Sequence, residues 1–469
     1  MDLIQRVSQS FWGLENSDRN NQLVVLGAKY DPISSGWEEQ NQDNFGSLFQ
    51  HMFTRPEPWN PEFLKDVNSR LHFTYRTRFA PIPRHIDGPS PMRISILLRD
   101  NPLNVIENVL NNLDCFQTDI GWGCMIRTGQ SLLANALQLA NLGRDFRISG
   151  SDSDINEVEM KIIRWFEDNP KHPFSLHKFV QEGYKLSGKK PGEWFGPSAI
   201  SRSIRSLVMK FPGSGIDHCI ISTDSADVYL DEIDPLFRAN PKANVLLLLG
   251  VRLGVDFTNE YYWDDIKNIL SSSQSVGISG GRPSSSLYFF GYQGDYLFYL
   301  DPHKVQLNLA LYESDEERFH SVHPQTFNKI HLSAIDPSML LGFLLTGEDD
   351  WLSWKTTVLG SKIIHLSDSK PVDIMLDNEV ERMLIGERKT AEQRKDLTSD
   401  LEIGDYVDVG SLVQSADSYK NKEADDEYQD VKCKNQKIVV VGESNSSGAP
   451  DVEVEKVLVE KETIPVRGK

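Results

Sequence analysis

Cysteine is scarce in this chain: four in 469 residues, at positions 115, 124, 219 and 433. None forms a Cys-x-x-Cys pair and the spacings fit no zinc template, so no metal site is expected. So few cysteines in so long a chain also argue against a disulfide scaffold, and a reducing compartment is the natural reading. Long apolar runs are missing too. The longest, Val245–Leu249 and Met339–Leu345, fall far short of a membrane span. The opening Met-Asp-Leu-Ile-Gln-Arg-Val has no basic stretch leading into an apolar run, so no secretory signal is expected. Positive charge is in deficit, with 49 Lys+Arg against 68 Asp+Glu and a net charge of −19. That field disfavours nucleic acid and anionic membrane surfaces and suits a basic or neutral protein partner.

What remains is the composition of a globular enzyme, with 39% hydrophobic and 10% aromatic residues. The length allows one large domain or two ordinary ones. Composition changes near residue 370. Residues 371–469 hold 23 Asp+Glu, 14 Lys+Arg and only three of the 45 aromatics. Such a segment can bury little and is expected to be disordered. The organisation expected is therefore a flexible segment over 1–21, one folded unit over 22–368, and an acidic tail over 369–469. Within the folded unit, Met125, Gly129, Leu132, Leu133, Ala136 and Ala140 recur at helical spacing, with Gly143 as a stop. Pro197–Met209 reads as a second helix. Asn244–Val251 reads as a buried strand, followed by short strands at Val276–Ser279, Leu287–Tyr292 and Tyr296–Leu300. Gly294 sits in a hairpin turn between the last two. The class expected is α+β, a helical first half followed by an antiparallel sheet.

Two segments carry chemistry. In Thr118-Asp119-Ile120-Gly121-Trp122-Gly123-Cys124, the cysteine opens the first helix. Unpaired N–H groups and the positive end of a helix favour thiolate over thiol. The flanking glycines let a substrate backbone approach closely. On this segment alone, nucleophile and buried structural cysteine both stand. In Tyr299-Leu300-Asp301-Pro302-His303, strand alternation can put Asp301 and His303 on one side. There the carboxylate fixes the imidazole tautomer and aims the other nitrogen outward. A surface turn is the competing reading, since Asp-Pro also occurs at residues 31, 234 and 336.

These residues resemble a known family. Gly121-Trp122-Gly123-Cys124-Met125-Ile126-Arg127 with Gly129-Gln130 is similar to the active-site motif of the autophagins, the autophagy-related cysteine proteases, and so is Tyr299–His303. Further matches run in order over residues 22–355: Leu26-Gly27 with Lys29-Tyr30, Phe73-Thr74-Tyr75-Arg76, Ser279–Ser284 with Tyr288-Phe289, and Asp336-Pro337-Ser338. The resemblance implies a papain-like fold with a small extra subdomain. It implies Cys124 as nucleophile, His303 as base, Asp301 as orienting acid and Tyr75 as oxyanion donor, with Gly281-Arg282-Pro283 as a loop gating the cleft. No cofactor is expected. The reaction implied is removal of the C-terminal extension of autophagy's ubiquitin-like modifier after a glycine, and release of that modifier from phosphatidylethanolamine. Contact with the autophagosomal membrane would run through the modifier. The location implied is the cytoplasm, with the nucleus and pre-autophagosomal sites in addition. A non-catalytic scaffold binding that modifier, or a deconjugase of another ubiquitin-like protein, are the alternatives.

The sequence also departs from the family. Thr128 stands where many relatives carry a second cysteine, and Met209–Asp217 lacks the cleft tryptophan of animal relatives. In the tail, Asp405-Tyr406-Val407-Asp408-Val409 and Glu427-Tyr428-Gln429-Asp430-Val431 each place an aromatic three residues before an aliphatic. Such a strand can add to a sheet edge of the modifier, Tyr406 with Val409 or Tyr428 with Val431 filling two pockets. So short a pattern is cheap, and chance is the favoured reading of each.

Overall fold

The structure is a computed structural model that describes residues 18–32, 59–91, 114–148, 155–223, 225–281 and 285–370. Its strands are β1 (Leu23–Val25), β2 (Ala28–Tyr30), β3 (Tyr75–Pro83), β4 (Cys115–Thr118), β5 (His218–Ser222), β6 (Asp227–Tyr229), β7 (Asn244–Arg252), β8 (Ser275–Gly280), β9 (Leu287–Gln293), β10 (Tyr296–Leu300), β11 (Val305–Leu307), β12 (Asn328–His331), β13 (Ser338–Thr346) and β14 (His365–Ser367). Its α-helices are α1 (Pro61–Asn68), α2 (Cys124–Leu142), α3 (Glu157–Trp165), α4 (Leu176–Ser187), α5 (Pro197–Lys210), α6 (Leu230–Ala239), α7 (Trp263–Ser271), α8 (Asp315–Val322) and α9 (Glu348–Val358).

The main sheet runs β12-β10-β9-β8-β13-β7-β5, with β1 added beside β9 and β2 beside β1. Its central strands read as unbroken apolar runs because both faces are covered. Along β7, Leu246 and Leu248 join one core, and Val245, Leu247 and Leu249 the other. The same alternation divides Leu340 and Leu344 from Leu341, Phe343 and Leu345 on β13. One core holds α2 to α5, and the opposite core holds α6, α7 and α9. The α+β class is as expected. The expectation of a purely antiparallel sheet is corrected: β5 pairs parallel to β7. The chain between them contains α6, and a helical crossover is what returns a strand in the same direction.

The elements around Cys124 form where the sequence places them. Helix α2 starts at Cys124 and stops at Gly143, whose φ of +83° a side chain would strain. It lies directly on β13. A Cβ added to Gly342 would come within 2.6 Å of Val276 Cγ2 and 3.1 Å of a Leu132 methyl. Helix α5 crosses it as tightly, since a Cβ on Gly129 would sit 2.4 Å from Ile200 Cγ1. A second sheet, β11-β3-β4, stands apart from the first. There β11 pairs parallel to β3 with Val305 opposite Tyr75, so the chain just after His303 runs beside Tyr75. Cys124 and Cys219 are free, buried thiols. The readings of the first 17 residues, Arg282, Pro283, Tyr406, Val409, Tyr428, Val431 and most of the acidic tail also fall outside them.

Candidate active site

The site begins with one buried carboxylate. Asp119 follows β4 and is wholly buried. Its backbone carbonyl accepts from the N–H groups of Trp122 (3.2 Å) and Gly123 (2.9 Å), which curls the glycine-rich segment into a turn delivering Cys124 to the head of α2. Gly123 is needed in that turn because a Cβ there would lie 2.5 Å from Asp119 Oδ2. The Asp119 side chain reaches both flanks. Oδ1 accepts from the Arg76 N–H at 2.7 Å, and Oδ2 accepts from Arg127 Nε at 2.7 Å. Arg127 in turn grips Asp168 through its two terminal nitrogens, Nη1 and Nη2, at 3.1 and 2.8 Å. One carboxylate thus ties the strand bearing Tyr75 to the helix bearing Cys124.

The opposite wall is the turn Asp301-Pro302-His303. Strand β10 ends at Leu300, so the expected alternation along a strand is replaced by a tight turn with the same outcome. Asp301 Oδ1 accepts from the His303 backbone N–H at 3.0 Å and from its ring Nδ1 at 2.5 Å. Nδ1 therefore carries the proton and Nε2 is left free. The turn is strapped at two further points. Tyr75 N–H donates to Pro302 O at 2.8 Å, and His72 Nε2 donates to Asp301 O at 3.0 Å. Burial lowers the His72 pKa to about 4, which keeps that ring neutral.

Nε2 of His303 is buried without a nitrogen or oxygen partner and meets the sulfur of Cys124. Burial alone would raise the Cys124 thiol. Its hydrogen bond to His303, a bond from the Ser286 N–H and one from the Trp194 indole together hold it below the usual thiol range. Burial alone would lower the His303 imidazole. The Asp301 hydrogen bond and the neighbouring sulfur outweigh that and push it up to about 9. The two shifts agree: sulfur is favoured as thiolate and imidazole as imidazolium. The Tyr75 phenol stands edge-on to the His303 ring, with centroids 5.3 Å apart, and packs in one buried cluster with Cys124. Burial, then the charges of Cys124 and Asp119, push its pKa far above the ordinary phenol value, so it stays a proton donor.

Cys124, His303, Asp301 and Tyr75 are therefore brought together. Gly281 follows directly on β8, and its carbonyl accepts from the Asp336 N–H. Trp194, Ser286, Asp119 and His72 escaped the sequence reading. Met209–Asp217 lacks the cleft tryptophan of animal relatives, and the indole beside the sulfur comes from Trp194, just ahead of α5. The readable signal was a large aromatic set between Gly192 and the Gly196-Pro197 start of a helix. No group of residues able to hold a metal ion is present among the described residues.

A buried thiol at a helix head, paired with a carboxylate-oriented imidazole and flanked by a phenol, is the apparatus of a thiol-dependent hydrolase. Comparison with known proteins narrows the class. The Peptidase C54 catalytic domain matches residues 60–357. The chain is 67% identical over 470 residues to the probable cysteine protease ATG4 of Eremothecium gossypii, covering 100% of this chain and 90% of that one. It is 46% identical over 486 residues to the cysteine protease ATG4 of Saccharomyces cerevisiae (strain S288c), covering 99% and 97%. The chain belongs to the peptidase C54 family and is a cysteine protease.

Proposed function

We propose that this protease cleaves the C-terminal extension of autophagy's ubiquitin-like modifier after a glycine and releases the same modifier from phosphatidylethanolamine. The observation that carries the reading is the Cys124 sulfur in contact with a His303 ring whose other nitrogen is held by Asp301. In this scheme the thiolate attacks the glycine carbonyl carbon and the carbonyl π pair moves to oxygen. The Tyr75 hydroxyl and the unpaired Cys124 N–H at the helix head receive that oxyanion. His303 Nε2–H protonates the departing nitrogen, which is a peptide amine in the precursor and the ethanolamine amine in the lipid conjugate. A thioester remains. His303 then takes a proton from water as the water attacks, and the thiolate leaves.

Both substrates share a glycine carbonyl on a nitrogen leaving group, so one site serves both. Cys124 is 1% exposed and the 37%-exposed Trp194 sits beside its sulfur, which favours a narrow cleft and a residue without Cβ. Gating by Gly281-Arg282-Pro283 stays part of the proposal. So does the finer reading of the fold as papain-like with a small extra subdomain, spanning 22–368, with an acidic tail beyond. The negative net charge fits a modifier with basic surface, with membrane contact made through that modifier; residence in the cytoplasm is proposed from the family resemblance and the scarcity of cysteine. The test is to incubate the full chain, and a Cys124→Ala control, with the modifier precursor and with vesicles bearing the lipid conjugate. Mass-verified cleavage after the glycine, lost in the control, is the expected result. Binding without cleavage, or cleavage of another modifier alone, would overturn it.

A further inference from the structure

One turn below Cys124 on α2 lies a small polar cluster inside an otherwise apolar core. Thr128, Ser279 and Ser286 are each at most 1% exposed. Ser279 Oγ donates to Thr128 Oγ1 at 2.7 Å, and Thr128 Oγ1 is 2.7 Å from Ser286 Oγ. The chain of hydroxyls closes on backbone carbonyls, Gly280 O at 3.3 Å from Ser286 Oγ and Met125 O at 3.2 Å from Thr128 Oγ1. Whichever way the central bond runs, each of the three hydroxyls has an acceptor for its proton. Burying hydroxyls gains nothing over valine or alanine of similar shape unless their directionality is used. Their directionality here has one evident product. Thr128 is four residues along the helix from Cys124 and therefore on the same face. Ser286, which it holds, has its backbone N–H among the groups that lower the Cys124 thiol.

We propose that Thr128, Ser279 and Ser286 form a positioning latch that fixes the Ser286 backbone N–H on the Cys124 sulfur, so that a main-chain donor shares with His303 the work of stabilising the thiolate. The latch rests on Cys124 being the nucleophile and assigns no chemistry to the hydroxyls themselves. Ser279 comes from the end of β8 and Ser286 from the residue just ahead of β9, so α2, β8 and the approach to β9 are pinned where α2 meets the sheet. This also gives a physical role to Thr128, a hydroxyl with two partners at a position where a thiol would be a weaker donor and acceptor.

The test measures thiolate absorbance against pH in the full chain, as the difference from Cys124→Ala. Thr128→Val keeps the shape and removes the hydroxyl. Thr128→Ser keeps the hydroxyl, and Ser279→Ala removes only one donor. Expected is a thiolate midpoint raised by roughly half a unit to one unit in Thr128→Val, less in Ser279→Ala, and native-like in Thr128→Ser. If Thr128→Val does not fold, Ser279→Ala carries the comparison. A native midpoint in both hydroxyl-deleting variants would overturn the latch, and so would Thr128→Ser shifting as far as Thr128→Val. A native protein whose Cys124 titrates like an ordinary thiol would instead overturn the ion pair beneath the proposed function.

Discussion

Removing the Asp301 carboxylate gives the most direct measure of the pairing that defines the site. Of the influences that raise the His303 pKa from 6.5 to about 9, the hydrogen bond it donates to Asp301 is the first, while burial opposes them all. In Asp301→Ala that support is gone and burial stays, so the imidazolium loses its proton near or below the ordinary value. The sign follows. His303 must be protonated to hand a proton to the departing nitrogen, and its deprotonation sets the alkaline limb of kcat/KM in the free enzyme. With a pKa of about 9, roughly nine-tenths of the rings are protonated at pH 8. With the ordinary 6.5, roughly 3% are, so the variant loses about thirtyfold at that pH through protonation alone. Loss of the fixed tautomer adds to this at every pH, by up to about 10⁴ where the same geometry has been tested in hydrolases. The assay is the pH dependence of precursor cleavage between pH 5 and 10, on the order of ten points. An alkaline limb that stays near 9 in Asp301→Ala would refute the assignment of Asp301 as the group holding the proton on His303.

Three further outcomes follow from the same geometry. Tyr75→Phe should lower kcat by about 10²–10³ with little change in KM, because the hydroxyl acts on the oxyanion and not on the bound ground state; steady-state kinetics on the precursor decide it. Asp119→Ala should cost about 3–5 kcal/mol in denaturant unfolding, since Arg127 loses one of its two buried carboxylates. Asp119→Asn should cost less, because it still accepts from the Arg76 N–H. Gly342→Val should cost about 1–3 kcal/mol and depress activity with it, as the added methyls push against Leu132 on the helix that carries the sulfur; paired melting and cleavage measurements would show whether the two losses move together.

Much of this was legible in the sequence because the signals were local. The start of α2 at Cys124 was marked by glycines ahead of it and helical spacing behind. The strands β7, β9 and β10 were marked by apolar runs with turn residues between. The Asp301–His303 pair was readable because its two members are two residues apart, although a turn and not strand alternation joins them. What escaped were contacts between segments far apart in the chain. The parallel β5–β7 pair depends on a crossover whose helix contains Pro235, which obscures its periodicity. Trp194 reaches the sulfur from 70 positions away, and His72 reaches Asp301 from 229. The Ser286 donor is a backbone N–H, which no residue type announces. Thr128 was legible only as a missing thiol, and its hydroxyl partners belong to strands that meet it through tertiary packing.

The enclosure of the Cys124 sulfur separates how reactive the atom is from how often it can be reached. Many small electrophiles and oxidants would consume an open thiolate between encounters with its true target. Here the residue is buried with an indole beside its sulfur, so vulnerability is confined to the brief interval in which a chain is being admitted.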